Sequence, residues 1–463
     1  MKKIKHIHFI GIKGVAMTAL AVVAKEQGAR VTGSDIEEEF PTSKVLSKFK
    51  ITPLVGFKKE NIVGKPDLVV VTGAHGGMSN PEARAAKSGG LRVLLHGEAL
   101  PEFMAGKKEI AVAGCHGKTT SAAMVAHILS GAGLDPSFAV GCGEIKSLAT
   151  PGHAGKGDYF VVEADEYVTD PGQNPTPRFF YLNPLIAVIT NIEYDHPDAY
   201  LNIEQVKEAF LTFAKKIPAN GLLVAGVDNE NVRAILAKVG VPILTYGFSP
   251  QADYQISRVS FGTGRTWFRL KHKEIDLGQF SLSVPGKHNV ANAVAAGIVA
   301  SFLGISWGKI KELLPTFLGT KRRFEKISEK EGVIFFDDYA HHPTEIKATL
   351  EAAKNWFSGK RIICIFQPHT FSRTKALFAE FSKSFDKADE VIVTDIYPSA
   401  REKPDPTINS RILVNEIKKH HKNAIYIGKV EEVVDFLKKE LRSGDIVFTM
   451  GAGDIYKIHG LFK

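Results

Sequence analysis

The chain has 463 residues, of which 44% are hydrophobic and 24% are charged. This length predicts two to four domains, and the composition excludes a disordered chain and a single small module. The formal net charge of +9 suits an anionic small-molecule substrate as well as it suits nucleic acid, so charge alone does not identify the partner.

The cysteines and the apolar segments indicate the cellular compartment of the protein. Cys115, Cys142 and Cys364 are too few to stabilise a chain of this length by disulfides, and their spacing matches no zinc pattern, so we expect reduced thiols in the cytoplasm. The most apolar stretch, residues 293–305, is shorter than the roughly 18 residues of a membrane span, which predicts a buried helix and no membrane contact. A basic stripe interleaved with aromatic residues is also missing, so we expect no nucleic-acid partner.

Short β-rich segments alternate with amphipathic helical segments, which predicts parallel sheets with crossover helices. Polar, glycine-containing junctions near residues 100–108 and 318–325 predict three α/β domains at 1–106, 107–320 and 321–463. In chain order we expect strands at residues 6–10, 30–33, 68–72, 109–113, 332–336, 361–366, 390–394 and 445–450, and helices at 16–27, 344–355, 376–383 and 430–441.

Near the N-terminus, a glycine-containing turn joins the first strand to the first helix. Gly11 and Gly14 form this turn, and Ser34 and Asp35 end the next strand. This is the dinucleotide-binding layout, in which glycines let a pyrophosphate approach a helix end. Because Lys13 stands at the second glycine position, a UDP-type pyrophosphate is favoured over NAD; a purely structural turn is the alternative.

The segment GCHGKTT, residues 114–120, follows an apolar strand and opens a helix. Its backbone N–H groups would face a phosphate, Lys118 would neutralise charge on the β- and γ-phosphates, and the Thr119 hydroxyl would bind Mg²⁺. Val112 stands where the full motif has its first glycine, which leaves G-x-x-G-K-T. The segment predicts an ATP or GTP site, and an ordinary strand-to-helix turn is the alternative.

Two groups of acidic and histidine side chains follow apolar strands of the middle region. Because carboxyl ends of neighbouring parallel strands meet at one edge of a sheet, these groups predict a Mg²⁺ site near the nucleotide phosphates. Unrelated surface acids are the alternative. The first group is Glu163, Asp165 and Glu166, and the second is Glu193, Asp195 and His196.

Three later segments also concentrate polar side chains at the ends of elements. His288, Asn289 and Asn292 open an apolar helix, where they either cap it or hydrogen-bond a nucleotide base. Lys321, Arg322 and Arg323 at the second junction are either a solvated basic run or arginines that close onto ATP phosphates. Segments 337–343 and 366–374 each follow a strand, and Arg373 in the latter is a candidate carboxylate clamp.

Eight motifs together carry a resemblance over nearly the whole chain. In order they are GIKGVAM, GCHGKTT, EADE, TNIEYDHPD, PGKHNVANA, KRRFE, DDYAHHPTE and FQPHTFSRT. The chain resembles the Mur ligases, ATP-dependent amino-acid ligases of peptidoglycan synthesis that serve cell shape and cell division. The resemblance implies a Rossmann-like N-terminal domain for a UDP-sugar, a central P-loop ATPase-like domain and a Rossmann-like C-terminal domain for the amino acid.

The resemblance also implies roles for individual residues. Lys118, Glu163, His196 and His341 would be catalytic, with His341 a candidate base for the incoming amine and proton release to water the alternative. Mg²⁺ would contact Thr119, Glu163 and His196. The UDP-sugar would contact Gly11, Gly14, Ser34 and Asp35, and the amino acid would contact Tyr339, His341 and Arg373. The residues that would contact ATP are Gly114, Cys115, His116, Gly117, Lys118, Thr119, Thr120, His288, Asn289, Asn292, Arg323 and Asp338.

The resemblance implies addition of L-alanine to UDP-N-acetylmuramate through an acyl phosphate, by a monomer or homodimer. The segments EADEY, PRFFYLNP and FPTS resemble instead the branch that adds an intact tripeptide, and residues 165–183 are longer and richer in proline than in the alanine-adding branch. The segment FQPHTFSRT favours alanine. A P-loop binding or switch protein is the alternative from another class, although it would not need an amino-acid clamp.

Overall fold

The computed structural model describes residues 4–262, 264–398 and 402–462. The described residues form three large sheets, which follow one another along the chain, and one two-stranded hairpin. The α/β architecture with three units that the sequence predicts is confirmed. No helix in the described part of the chain is long and apolar enough to cross a membrane.

The first sheet is parallel, with strand order β3-β2-β1-β4-β5. β1 and β4 are buried along their whole length, as expected of apolar strands covered by helices on both faces. The strand order reverses between β1 and β4, which opens a crevice at their carboxyl ends. The strands are β1 (His6–Ile10), β2 (Arg30–Asp35), β3 (Leu54–Val55), β4 (Leu68–Val71) and β5 (Val93–Leu95), and the helices are α1 (Val15–Glu26), α2 (Ser43–Lys48), α3 (Pro81–Ser88) and α4 (His96–Phe103).

The second sheet has ten strands in the order β17-β16-β15-β14-β13-β12-β6-β9-β7-β8, and β10 pairs with β11 apart from it. The strands are β6 (Lys108–Ala113), β7 (Ser137–Ala139), β8 (Gly152–His153), β9 (Tyr159–Ala164), β10 (Val168–Asp170), β11 (Asn174–Pro177), β12 (Ile186–Ile189), β13 (Leu222–Gly226), β14 (Ile243–Gly247), β15 (Tyr254–Gly262), β16 (Arg265–His272) and β17 (Ile275–Leu282). The helices are α5 (Lys118–Gly131), α6 (Ile203–Ala214), α7 (Glu230–Leu236), α8 (Lys287–Phe302) and α9 (Trp307–Leu313).

The middle of this sheet positions the site. β6 lies between β9 and β12 and is parallel to both, so the turns that follow these three strands meet at one edge. The helix expected within residues 293–305 belongs to α8, which is buried beside α5. The strands β15, β16 and β17 are antiparallel to one another and extend the sheet. The sequence pattern predicts only parallel strands joined by crossover helices. The short connections between the antiparallel strands leave no room for a crossover helix.

The third sheet has the order β18-β19-β23-β20-β21-β22, and only its β18–β19 pair is antiparallel. The strands are β18 (Glu325–Lys330), β19 (Val333–Asp338), β20 (Ile362–Phe366), β21 (Glu390–Val393), β22 (Ala424–Tyr426) and β23 (Ile446–Met450). The helices are α10 (Pro343–Trp356), α11 (Phe371–Ala376), α12 (Phe378–Ser382), α13 (Ser410–Ile417), α14 (Val430–Glu440) and α15 (Ile458–Leu461).

One predicted helix of the C-terminal region is wrong. The sequence predicts a single helix at residues 376–383, whereas the structure has two short helices, α11 and α12. The first of them begins earlier because the Thr370 side chain accepts a hydrogen bond from the Arg373 N–H and caps the helix. The boundaries predicted near residues 106 and 320 fall between the sheets, and the three domain ranges stay a prediction.

Candidate functional site

Two neighbouring cavities lie at the carboxyl edge of the central sheet. The smaller cavity has a volume of about 350 Å³ and the larger about 590 Å³, which is the size range of small-molecule sites. Gly117, Thr119, Arg323 and Glu345 line both cavities. The two volumes therefore adjoin each other at the start of α5, with the C-terminal domain on the opposite side.

The turn between β6 and α5 requires its glycines. Gly114 and Gly117 have φ of +137° and +81°, which favour glycine over other residues. A Cβ at Gly117 would lie 2.7 Å from the Asn292 Oδ1 atom, and a Cβ at Gly114 would overlap the Thr190 hydroxyl. The His116 N–H donates to Asn191 Oδ1 at 2.9 Å. The turn is thus held against β12 and α8 in the shape that the phosphate-binding motif predicts.

Lys118 is the first residue of α5 and lines the larger cavity. Its Nζ atom donates to Glu166 Oε2 at 2.8 Å. Burial opposes the charge on Lys118, but the carboxylates of Glu166 and Asp165 outweigh it and hold the pKa of the lysine well above its usual range. The lysine is therefore charged at any working pH of the protein.

The predicted Mg²⁺ ligands Thr119, Glu163 and His196 line the larger cavity, whereas Glu193 lines the smaller one and Glu166 lines neither. The Thr119 hydroxyl donates to Glu163 Oε2 at 3.1 Å, and burial raises the pKa of Glu163. Asp165, Glu166 and His196 offer ligand atoms within 4.8 Å of one another. Among the described residues, Glu166 Oε1 is buried without a hydrogen-bond partner. Carboxylate and hydroxyl oxygens with an unsatisfied buried acceptor fit a hard divalent cation.

Most residues assigned to ATP line the smaller cavity. Burial, helped by the charge of Arg323, lowers the pKa of His288 to about 4, so its ring is neutral near pH 7. Asn289 donates to the Pro285 carbonyl oxygen, and α8 has no side-chain cap at Gly286, which disagrees with the capping alternative. The assigned residues that line this cavity are His116, Gly117, Thr119, Thr120, His288, Asn289, Asn292, Arg323 and Asp338, whereas Cys115 and Lys118 line the larger one.

His116 connects the phosphate-binding turn to the C-terminal domain. Its ring nitrogens lie 3.3 Å from Glu193 Oε2 and 3.5 Å from Glu345 Oε1. Burial lowers the pKa of His116, but the two nearby carboxylates outweigh it and raise the pKa to about 10. The Thr344 hydroxyl donates to Glu193 Oε2 at 2.8 Å across the same junction. The junction therefore holds an imidazolium between carboxylates of two domains.

The residues assigned to the amino acid also reach the larger cavity. Tyr339, His341 and Arg373 line it. Arg373 Nε donates to Asp195 Oδ1 at 2.9 Å, and this carboxylate outweighs burial and raises the pKa of Arg373. His341 lies 3.1 Å from Glu345 Oε2. Arg373 is thus anchored by the central domain while it faces the cavity.

The first-domain residues divide into one that lines the larger cavity and three that do not. Gly14 lines it, whereas Gly11, Ser34 and Asp35 do not. The Ser34 hydroxyl donates to Glu82 Oε2 at 2.8 Å, and Asp35 Oδ2 accepts from the Lys13 N–H at 2.7 Å. Ser34 thus bonds to α3 and Asp35 to the turn, and neither side chain lines either of the two cavities.

Sequence reasoning missed several residues that line the cavities. Glu345 belongs to a motif singled out in the sequence, but its contact with His116 depends on how two domains dock. Asp228 follows β13, and the strand-end rule that found Glu163 would have found it. Lys13 and Arg178 also line the larger cavity. In the sequence, Lys13 stands out only as a changed glycine position and Arg178 only as part of PRFFYLNP, and no motif gives either residue a binding role.

Family models and relatives match almost the whole chain. Residues 6–108 match the model described as "Mur ligase family, catalytic domain", residues 112–300 the "Mur ligase middle domain", and residues 322–453 the "Mur ligase, glutamate ligase domain". The chain is 42% identical to the UDP-N-acetylmuramate–L-alanine ligases of Caldanaerobacter subterraneus (99% of this chain and 97% of the relative) and Desulfitobacterium hafniense (98% of each).

Solved structures give the same match. A UDP-N-acetylmuramate–alanine ligase from Thermotoga maritima has a TM-score of 0.82 at 28% identity, with 99% of this chain and 98% of that chain covered. A murein peptide ligase from Psychrobacter arcticus has a TM-score of 0.75 at 27% identity, with the same coverage. The alanine ligase is thus the better structural match of these two.

Proposed function

The chain belongs to the Mur ligase family, and from this premise we propose that it uses ATP to join L-alanine to the carboxyl group of UDP-N-acetylmuramate in peptidoglycan synthesis. The observation that carries the proposal is the meeting of the two cavities at Gly117 and Thr119, on either side of Lys118 in the sequence. ATP in the smaller cavity and the two other substrates in the larger one would bring their reacting groups together there.

Joining a carboxylate to an amine in water is uphill, so the carboxylate first needs a leaving group. A muramoyl carboxylate oxygen attacks the γ-phosphorus of ATP, the bond to ADP breaks, and an acyl phosphate forms. Lys118 is placed to stabilise charge on the transferring group. Thr119, Glu163 and His196 would hold Mg²⁺, which supplies further neutralisation of phosphate charge.

The amine of L-alanine then attacks the acyl carbon, and the tetrahedral intermediate collapses to the amide and orthophosphate. Arg373 would pair with the carboxylate of alanine, because a guanidinium binds carboxylates through two parallel hydrogen bonds. Only the neutral amine is nucleophilic, so its proton must leave. His341 lies in the larger cavity and is the candidate acceptor of that proton, with release to water as the alternative.

Closure of the domains protects the acyl phosphate from water. We propose hinges at the junctions near residues 106 and 320, between units of residues 1–106, 107–320 and 321–463. The ion pair of His116 with Glu345 and the hydrogen bond of Thr344 to Glu193 support a closed arrangement of the last two units. A cytoplasmic location and a monomeric or homodimeric state remain predictions.

Substrate-dependent ATP turnover tests this function. We expect ADP and orthophosphate to form together only when UDP-N-acetylmuramate and L-alanine are both present. Replacement of L-alanine by glycine, L-serine or the tripeptide should give slower turnover. Turnover that is fastest with the tripeptide would instead place the chain in the recycling branch, and turnover without any amino acid would support a nucleotide-dependent switch.

A further inference from the structure

The larger cavity extends from Lys118 to the crevice of the first domain, where the strand order reverses between β1 and β4. At this end the cavity is lined by the first turn of α1, the segment after β4 and the first turn of α4. Open α/β sheets bind nucleotides at such a reversal. Ser34 and Asp35, the polar residues expected there, are occupied within the domain.

The hairpin formed by β10 and β11 belongs to the central domain but lies against the first domain. Asp170 Oδ2 accepts from the Met78 N–H at 3.0 Å, and Gln173 Nε2 donates to the Gly76 carbonyl oxygen at 3.4 Å. A Cβ at Gly73 would lie 2.6 Å from the Thr169 carbonyl oxygen, so glycine permits this approach. The segment that follows the hairpin is therefore held beside the crevice.

Arg178 follows β11 directly and places its guanidinium between the two domains. Nη1 donates to Asp165 Oδ2 at 2.8 Å on the central-domain side. Nη2 lies 3.4 Å from the position that a Cβ of Gly73 would take, and Cγ lies 3.4 Å from the corresponding position at Gly97. The side chain is 22% exposed and lines the larger cavity. Arg178 thus connects a strand end of the central sheet to two of the cavity-lining segments of the first domain, the one after β4 and the first turn of α4.

The neighbouring basic groups are less able to bind an anion. Lys13 Nζ donates to three main-chain carbonyl oxygens, those of residues 36, 37 and 38, at 2.7, 3.3 and 2.7 Å. Burial, with the charge of Arg178, lowers the pKa of His96 to about 4, so this ring is neutral near pH 7. A guanidinium has five N–H donors, and the bond to Asp165 uses one of them. Arg178 therefore has donors left beside the crevice.

We propose that Arg178 binds the diphosphate of the UDP-sugar from the central-domain side of the crevice and fixes the sugar nucleotide across the domain junction. A diphosphate is the anionic group that suits a planar donor fork beside a nucleotide-binding crevice. The proposal rests on the proposed function, because it takes a UDP-sugar as the substrate.

Binding measurements on the full chain test the role of Arg178. Arg178→Met keeps the aliphatic stem that packs on Gly97 and removes the guanidinium, whereas Arg178→Lys keeps the charge without the fork. We expect Arg178→Met to weaken binding of both UDP and UDP-N-acetylmuramate about tenfold to a hundredfold in calorimetric titrations, with a smaller loss for Arg178→Lys. In turnover, KM for UDP-N-acetylmuramate should rise more than kcat falls.

The controls separate binding from folding. Binding of a non-hydrolysable ATP analogue should not change in either variant. Arg269→Ala, which removes an arginine paired with Asp276 away from both cavities, should leave all the ligand affinities unchanged. If Arg178→Met does not fold, Arg178→Lys decides the test. An Arg178→Lys protein that binds UDP as tightly as the wild-type chain would overturn the proposal.

Each remaining outcome has a definite meaning. If Arg178→Met binds UDP with unchanged affinity but binds UDP-N-acetylmuramate more weakly, Arg178 contacts the muramoyl carboxylate. That result would overturn the proposal. An equal loss of ATP-analogue binding would show a structural role and overturn it as well. Failure of the wild-type chain to bind UDP or UDP-N-acetylmuramate would contradict the proposed function itself, which distinguishes the two failures.

Discussion

The ion pair of Lys118 with Glu166 allows the catalytic and structural roles of the lysine to be separated. The two side chains are 15% and 1% exposed, and their charged atoms are 2.8 Å apart. Lys118→Met removes the charge that would stabilise the transferring phosphoryl group, and it also leaves a buried carboxylate unpaired. Loss of one partner of a buried ion pair lowers the free energy of unfolding by about 3–5 kcal/mol. Because the lysine is partly exposed, we expect a loss of about 3 kcal/mol here.

For a cooperative unit of 150 to 250 residues, that loss corresponds to a fall in melting temperature of about 6–12 °C. The double variant Lys118→Met/Glu166→Gln leaves no unpaired charge, so calorimetry should show most of the melting temperature restored. Ligation should stay reduced by at least about a hundredfold in both variants, because loss of a single stabilising donor costs that much. The assay is release of ADP with both substrates present.

Three results would contradict this reasoning. Near-normal ligation by a folded Lys118→Met protein would remove Lys118 from the site. Recovery of ligation in the double variant would show that the single variant fails because of the unpaired Glu166 and not because a phosphate ligand is missing. An unchanged melting temperature in the single variant would show that the ion pair contributes little to stability.

Three further predictions concern the amino acid, the metal and the domain junction. Arg373→Lys should raise KM for L-alanine about tenfold or more with KM for ATP unchanged, because lysine lacks the planar fork; equal rises in steady-state assays would contradict this. Thr119→Val removes the hydroxyl that pairs with Glu163, so titration should show a higher Mg²⁺ requirement, and an unaltered requirement would remove Thr119 from the metal site. The pKa of His116 is raised from 6.5 to about 10, so its stabilising effect is full below 6.5 and is lost as pH rises towards 10. Glu345→Gln should therefore lower the melting temperature most at and below about pH 6.5, and it should flatten the decline of the melting temperature between there and about pH 10. Curves parallel to wild type would exclude this contribution.

Much of the candidate site could be predicted because it is local to strand ends. Glu163 lies at the end of β9, Lys118 follows the turn after β6, and His196 lies in the segment after β12. Parallel pairing of β6 with β9 and β12 brings these strand ends to one edge, whatever the details of packing. The glycine pattern predicted the backbone shape at Gly117, since a left-handed φ there favours glycine.

The remainder depends on packing that short motifs do not encode. Ser34 and Asp35 stand at the right strand end, but their side chains bond to Glu82 and to the turn instead of facing a ligand. Glu345 meets His116 of the central domain, and Arg178 packs close to Gly73 and Gly97 of the first domain. These partners lie in other domains and are far away in sequence. A sequence pattern places such a residue on an element without stating which domain surface that element meets.

The central claim is that a sugar-linked carboxylate becomes an acyl phosphate before the amino acid captures it. The most direct measurement incubates the protein with ATP and UDP-N-acetylmuramate without amino acid, quenches the mixture with borohydride and analyses the products by mass spectrometry. The account predicts an alcohol from reduction of the activated carboxyl group, together with ADP. An acyl adenylate would give the same alcohol on reduction, so the nucleotide product decides, and formation of AMP and pyrophosphate in place of ADP would contradict the account.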